Sequence, residues 1–253
     1  PMSAVIARRV GSSSFRTRPR EKLVRMYLAG GLAVVLALSL TSTAFASDQF
    51  KQTADVKLTA KKAKQSSGIS SDVESADPGA PGGKPKGASK VVLTFPSKTK
   101  FNTKAKSVAL CTADDQTVGQ QGAAACPPKS VVGTGTAAAN ASPLVASIAE
   151  NIQAFNAPGG IIFYVTPQAS VGQPLVLRGQ LSGATLTVNV PSLSILGIPV
   201  PLTSFVLNIP KKGSGKTAYI TSGVCKGKKF TVKTDFTYDD GSAFQATSSS
   251  PCK

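Results

Sequence analysis

The feature that most limits the fold is a run of short apolar segments, each cut off by Gly, Pro, Asn or Asp. From Lys90 onward these read 91–95 (VVLTF), 107–110, 131–138, 161–165, 175–177, 184–190, 204–209, 217–221, 229–238 and 243–247. Ala157-Pro158-Gly159-Gly160, Ser182-Gly183, Gly213-Ser214-Gly215 and Asp239-Asp240-Gly241 punctuate them. In 184–190, Leu186, Val188 and Val190 alternate with Thr185, Thr187 and Asn189, the period-two signature of a strand with one face buried. Short strands at such spacing predict an all-β fold, a single β-sandwich, jelly-roll-like as one variant. Residues 145–155 are two-sided: Val145, Ile148, Ala149, Ile152 and Phe155 keep helical spacing, while Ala146, Ile148, Ile152 and Ala154 keep strand spacing. The Pro-Gly-Gly turn and the strand that follow favour strand.

The chain opens differently. Arg8, Arg9, Arg16, Arg18, Arg20, Lys22 and Arg25 precede an uncharged apolar run, 26–40, and then Ala44-Phe45-Ala46. A basic segment, an apolar run too short for a spanning helix and a small-x-small site predict a signal peptide over 1–46, cleaved after Ala46. Residues 47–89 are rich in Lys, Gly and Pro. Val56, Leu58 and Ala60 alternate with polar neighbours and Ile69–Val73 offers a partner, so an N-terminal hairpin and linker are expected here, before a domain over 90–253.

Export changes the meaning of Cys111, Cys126, Cys225 and Cys252. An even number of cysteines in an exported chain reads as disulfides. Three pairings exist; Cys111–Cys126 and Cys225–Cys252 are favoured because each brackets one local segment. No C-x-x-C pair marks a zinc site. Histidine is absent, which removes Ser-His-Asp and Cys-His catalysis and the His-based metal helices. No catalytic, cofactor or metal set emerges, and the chain is read as non-enzymatic.

The phrases DPGAPGGKPK (77–86), VVLTFPSKTKFNTKA (91–105), CPPKSVVGTGTA (126–137), LVLRGQLSG (175–183), LTVNVP (186–191) and YDDGSAFQATSSSPC (238–252) occur together. In combination they resemble a set of secreted, β-rich actinobacterial proteins without an assigned activity. The resemblance implies an extracellular β domain with cysteines in the same two brackets, and no functional residues to carry over.

Residues 47–253 hold 22 basic and 11 acidic side chains, and Arg178 is the single arginine among them. Lysine is a hydrated point charge, suited to loose attraction to anionic polymers or membrane surfaces and not to sequence-specific reading of nucleic acid. Lys61, Lys62 and Lys64, then Lys98, Lys100, Lys104 and Lys106, then Lys226, Lys228 and Lys229 form clusters. They read either as solubilising surface or as contacts to an anionic wall polymer or membrane. An envelope-associated structural or adhesive role follows. A glycan-binding module is the alternative, although the exported part offers only Tyr164, Tyr219 and Tyr238 beside its phenylalanines and no Trp. A carboxylate-dependent glycan-active enzyme is a second alternative.

The remaining motifs have plain readings. Asp239-Asp240-Gly241-Ser242 is expected as a hairpin turn, with calcium binding as its rival. Asp114-Asp115 is expected as solvated loop charge, with half of a catalytic pair as its rival. The glycines of 131–136 and the 213–217 segment lack the spacing of a phosphate loop; the latter is expected as a hairpin. Pro191–Pro210, apolar with four prolines, is expected as a buried crossing between sheets, with an exposed docking patch as its rival.

Overall fold

A computed structural model describes residues 49–169 and 172–253. The expected signal peptide lies outside them. The strands are β1 (Lys51–Leu58), β2 (Ile69–Ala76), β3 (Ala88–Thr94), β4 (Lys100–Phe101), β5 (Val131–Ala141), β6 (Val145–Ala157), β7 (Gly160–Pro167), β8 (Leu175–Ser182), β9 (Thr185–Asn189), β10 (Ser194–Ile195), β11 (Ile198–Pro199), β12 (Leu202–Ile209), β13 (Ile220–Thr221), β14 (Lys229–Tyr238) and β15 (Ala243–Pro251). Among the described residues one α-helix, α1 (Asp115–Gln121), occurs, inside the Cys111–Cys126 bracket.

The all-β reading holds, with a difference in how the strands combine. Where strand spacing alone leads one to expect two packed sheets, hydrogen bonds join eleven strands into one antiparallel sheet, in the order β1-β2-β12-β5-β6-β7-β8-β9-β3-β14-β15. The pairs β4–β13 and β10–β11 form separate small ribbons. The large sheet curls until its edges meet. The Val56 amide donates to Ser248 Oγ (3.0 Å), Ser248 Oγ donates to the Val56 carbonyl (2.6 Å), and Ser250 Oγ donates to the Leu58 carbonyl (3.0 Å). Side-chain hydroxyls of β15 thus take the place of a twelfth ladder, and the sheet is nearly a barrel. The expected 47–89 hairpin is present as β1–β2 and belongs to this same sheet, with β2 paired to β12.

Strand patterns follow from the curl. On β14, Phe230, Val232, Thr234, Phe236 and Tyr238 are buried, while lysines and threonines of the same strand face outward. The ambiguous 145–155 segment is strand β6. It forms because β5 and β7 need a partner between them, and pairing along both edges outweighs helical spacing. Gly135 on β5 permits close approach of β12: a Cβ there would sit 1.9 Å from the Val206 carbonyl oxygen. The glycines of 131–136 therefore serve strand packing.

β7 is apolar on both faces for a reason outside the sheet. Ile161, Phe163 and Val165 join the interior core, while Ile162 packs with Phe155, Val118, Cys111 and Cys126 on the outer face. The disulfide segment is a lid over the middle of the sheet. Each such fully buried Ile contributes about 1.5–3 kcal/mol.

Three local expectations are corrected. Residues 107–110 form no strand: the Val108 amide bonds Ala105, the Ala109 amide bonds Lys129, and Asn156 Nδ2 donates to the Ala109 carbonyl, so turn and side-chain bonds replace a ladder. Residues 213–217 form no hairpin, because β12 pairs with β2 and β5 while β13 pairs with β4; Ser214 and Thr217 instead cap a short 3-10 turn. Pro191–Pro210 does not cross between sheets. It carries the β10–β11 ribbon, with Leu196 88% exposed at its tip, and then enters the sheet as β12.

Candidate functional site

Both predicted disulfides are present, Cys111–Cys126 and Cys225–Cys252. Two disulfides without a free thiol are the mark of an oxidising compartment. Among the described residues no helix is long and apolar enough to cross a membrane.

The three lysine clusters, far apart in sequence, meet at one end of the sheet. The β1–β2 loop, the β3–β5 connection, the β12–β14 connection and the C-terminus are tied together there by main-chain bonds. Lys64 donates to Ser222 (3.1 Å), Val224 to Ser97 (2.8 Å), Cys252 to Lys228 (2.9 Å) and Lys253 to Lys61 (2.8 Å). The β4–β13 ribbon and the Cys225–Cys252 disulfide cross-link the same loops. Beneath them Phe95, Tyr219, Ile220 and Phe230 plug the barrel.

The segments 59–68, 96–107, 210–229 and 250–253 that build this cap contain 14 lysines and no Asp or Glu. All are exposed except Lys212, which is half-buried. The topology requires this convergence: β1, β3, β12 and β15 end, and β2 and β14 begin, on the same side. The field of so many uncompensated charges adds over the cap and is screened only by salt.

The opposite end is open and mixed in charge. Its rim carries Lys84, Lys86 and Asp239, with the 191–201 segment beside them. Lys84 Nζ donates to the Pro199 carbonyl (3.0 Å), and Lys86 Nζ pairs with Asp240 Oδ2 at 3.2 Å and lies 5.5 Å from the Phe50 ring. Asp239-Asp240-Gly241-Ser242 forms the expected turn between β14 and β15. Asp240 accepts from the Ser242 hydroxyl and amide, and these bonds with Lys86 hold its carboxyl down at about 2. Among the described residues no cluster of three or more metal-ligating side chains occurs.

From this rim a cavity of about 450 Å³ runs into the sheet. Val73, Val91, Leu93 and Phe205 point inward on their strands yet remain half-exposed, because the interior is not filled beside them.

The other candidate residues have structural duties. Asp114 caps α1 by accepting from the Thr117 amide (2.7 Å), which holds its carboxyl below the usual range, and Asp115 pairs with Arg178 at 2.5 Å. Sequence reading missed this helix and took both as loop charges. Tyr219 and Tyr238 are buried, which raises both phenols, and Tyr164 is half-buried beneath the disulfide segment. None of the three lies open as a platform for a sugar ring. No protein-family model, curated protein or solved structure matches the chain.

Proposed function

We propose that this chain is an exported, non-enzymatic protein of the cell envelope that adheres through its lysine cap to an anionic wall polymer. The observation that carries the reading is the convergence of 14 lysines, with no Asp or Glu, in the four segments of one cap. Export rests on the basic-apolar-small leader of residues 1–46 and on the two disulfides. The resemblance to secreted actinobacterial proteins points the same way.

A polymer suits the cap better than a lipid surface. Interfacial binding adds buried apolar side chains to basic ones. Of the large hydrophobic side chains exposed among the described residues, only Val224 lies in the cap. Lysines without arginine forks hold a flexible polyanion through many loose contacts, each releasing counterions.

The test is retention of the exported protein on beads carrying a phosphate-rich wall polymer. Retention is expected at low salt and lost over a few hundred millimolar NaCl, and a variant with Lys61, Lys62, Lys226 and Lys228 changed to Gln should elute earlier. Elution unaffected by salt would reject the proposal, as would tighter binding to anionic vesicles than to the polymer.

A further inference from the structure

The cavity at the open end is separate from the cap and is built as a binding site. A sheet of eleven strands encloses more space than its side chains fill, and larger barrels characteristically hold ligands. Its volume, about 450 Å³, falls within the range of small-molecule sites. The walls from β3, β8 and β9 are apolar, with Leu93, Leu177 and Val188 among them; Phe205, Leu207 and Ile209 continue them on β12, whose Thr203 and Ser204 stand at its rim end. The charged groups of its lining, Lys84, Lys86 and Asp239, all belong to the rim.

One flank differs. β1 and β2 contribute Gln52, Ser71 and Ser75 to the lining. Gln52 is already satisfied: its Nε2 donates to the Thr53 and Glu74 carbonyls, and its Oε1 accepts from Ser75 Oγ and Tyr238 OH. Ser71, 8% exposed, makes no side-chain hydrogen bond among the described residues, and its hydroxyl is not sealed off but opens on the cavity. Across the closing seam, Thr234 lines the cavity at 1% exposure, and its hydroxyl is also unpartnered among the described residues. Buried hydroxyls are normally bonded, and one left unbonded is costly. Apolar cavities stay dry and take apolar guests, whereas polar groups in the wall ask for a matching group on the guest.

We propose that the interior binds an uncharged, mainly hydrocarbon small molecule that carries a hydroxyl or carbonyl group on one side, set against Ser71. The hydrocarbon part covers the inward faces of β3 and β12, and the absence of charge in the guest follows from a lining whose charges stop at the rim.

The test uses diphenylhexatriene, an uncharged hydrocarbon fluorophore, with the organic-extracted, refolded protein. Its fluorescence should rise and saturate near one probe per chain. Val73→Trp and Val91→Trp, each checked for an unchanged far-UV spectrum, should abolish the rise by filling the cavity. In displacement, 1-decanol should act at a concentration at least about tenfold below decanoate. Ser71→Val should weaken 1-decanol severalfold and leave diphenylhexatriene within about twofold. No saturable fluorescence, or fluorescence untouched by both Trp variants, overturns the site itself. Decanoate matching decanol overturns the uncharged guest, and an unchanged response of Ser71→Val to decanol overturns the placement of the polar group. Adhesion through the cap is read in a separate assay and stands or falls by itself.

Discussion

The two ends of the sheet solve opposite problems. At the cap, loops from four places in the chain cross-link over Tyr219, Ile220 and Phe230, leaving a plugged barrel whose loops carry lysines and no Asp or Glu. At the rim, charges of both signs are paired or hydrogen-bonded, and the apolar side chains behind them face open space. The same alternating strands run through both ends. What differs is the loops: the cap has loops that close, and the rim has a two-residue ribbon that leaves the interior accessible. Sealing and opening are thus decided by connections, while the sheet supplies a common frame.

The sharpest way to break this comparison is to truncate one aromatic at each end. Phe230→Ala should cost about 3–5 kcal/mol, because Phe230 is 0% exposed and its removal leaves a void in a packed plug. Phe205→Ala should cost less than half of that, since its ring already borders the cavity. Urea unfolding of the two variants measures the difference; equal losses would mean that the interior is packed throughout.

Removing the Cys225–Cys252 bridge as a double serine variant follows in size. Its sequence separation of 27 corresponds to about 3–4 kcal/mol in the chain-entropy account. The same variant should loosen the cap, so that polymer retention falls while diphenylhexatriene still binds. Loss of both bindings together would show that the ends are not independent.

Cap lysines should matter to adhesion and hardly at all to stability. The Lys61, Lys62, Lys226 and Lys228 to Gln variant should stay within about 0.5 kcal/mol of the parent, because exposed charges away from partners contribute little. A large drop in thermal midpoint would assign those lysines to folding.

The smallest effect concerns Glu150 on β6. Burial raises its carboxyl above the ordinary glutamate range, and its Oε2 is unpartnered among the described residues. Between the unfolded value of about 4.5 and the raised folded value, the unfolded chain releases a proton that the folded chain keeps, so stability falls as pH rises through that window. Glu150→Gln should therefore raise the thermal midpoint at pH 7 and leave it unchanged near pH 3. A midpoint raised equally at both values would locate the gain in packing instead of ionisation.

Much of the fold was legible in the chain. The 229–238 segment matches β14 at both ends, because nothing competes with its alternation of Phe230, Val232, Thr234 and Phe236. Helix α1 was hidden because DQTVGQQ buries only Val118; the signal available was Asp114 three residues before Thr117, an N-cap spacing. The lysine clusters were visible, but their union was not, since it depends on which strand ends share a side. The cavity left no trace at all: Val91 and Leu93 read as core residues, and a side chain facing empty space alternates like one facing a neighbour. Ser71 carried a faint sign, a serine at an inward position of a strand otherwise marked by Ile69 and Val73.

The seam between β1 and β15 has a consequence for crowding. An unpaired edge invites another chain to add a strand. Here the amide and carbonyl of Val56 and the carbonyl of Leu58 are occupied by serine hydroxyls from the facing strand. A protein concentrated on a polymer by one basic end would hold many copies side by side, and hydroxyls that occupy these three groups make this stretch of the seam a poorer template for a neighbour's strand.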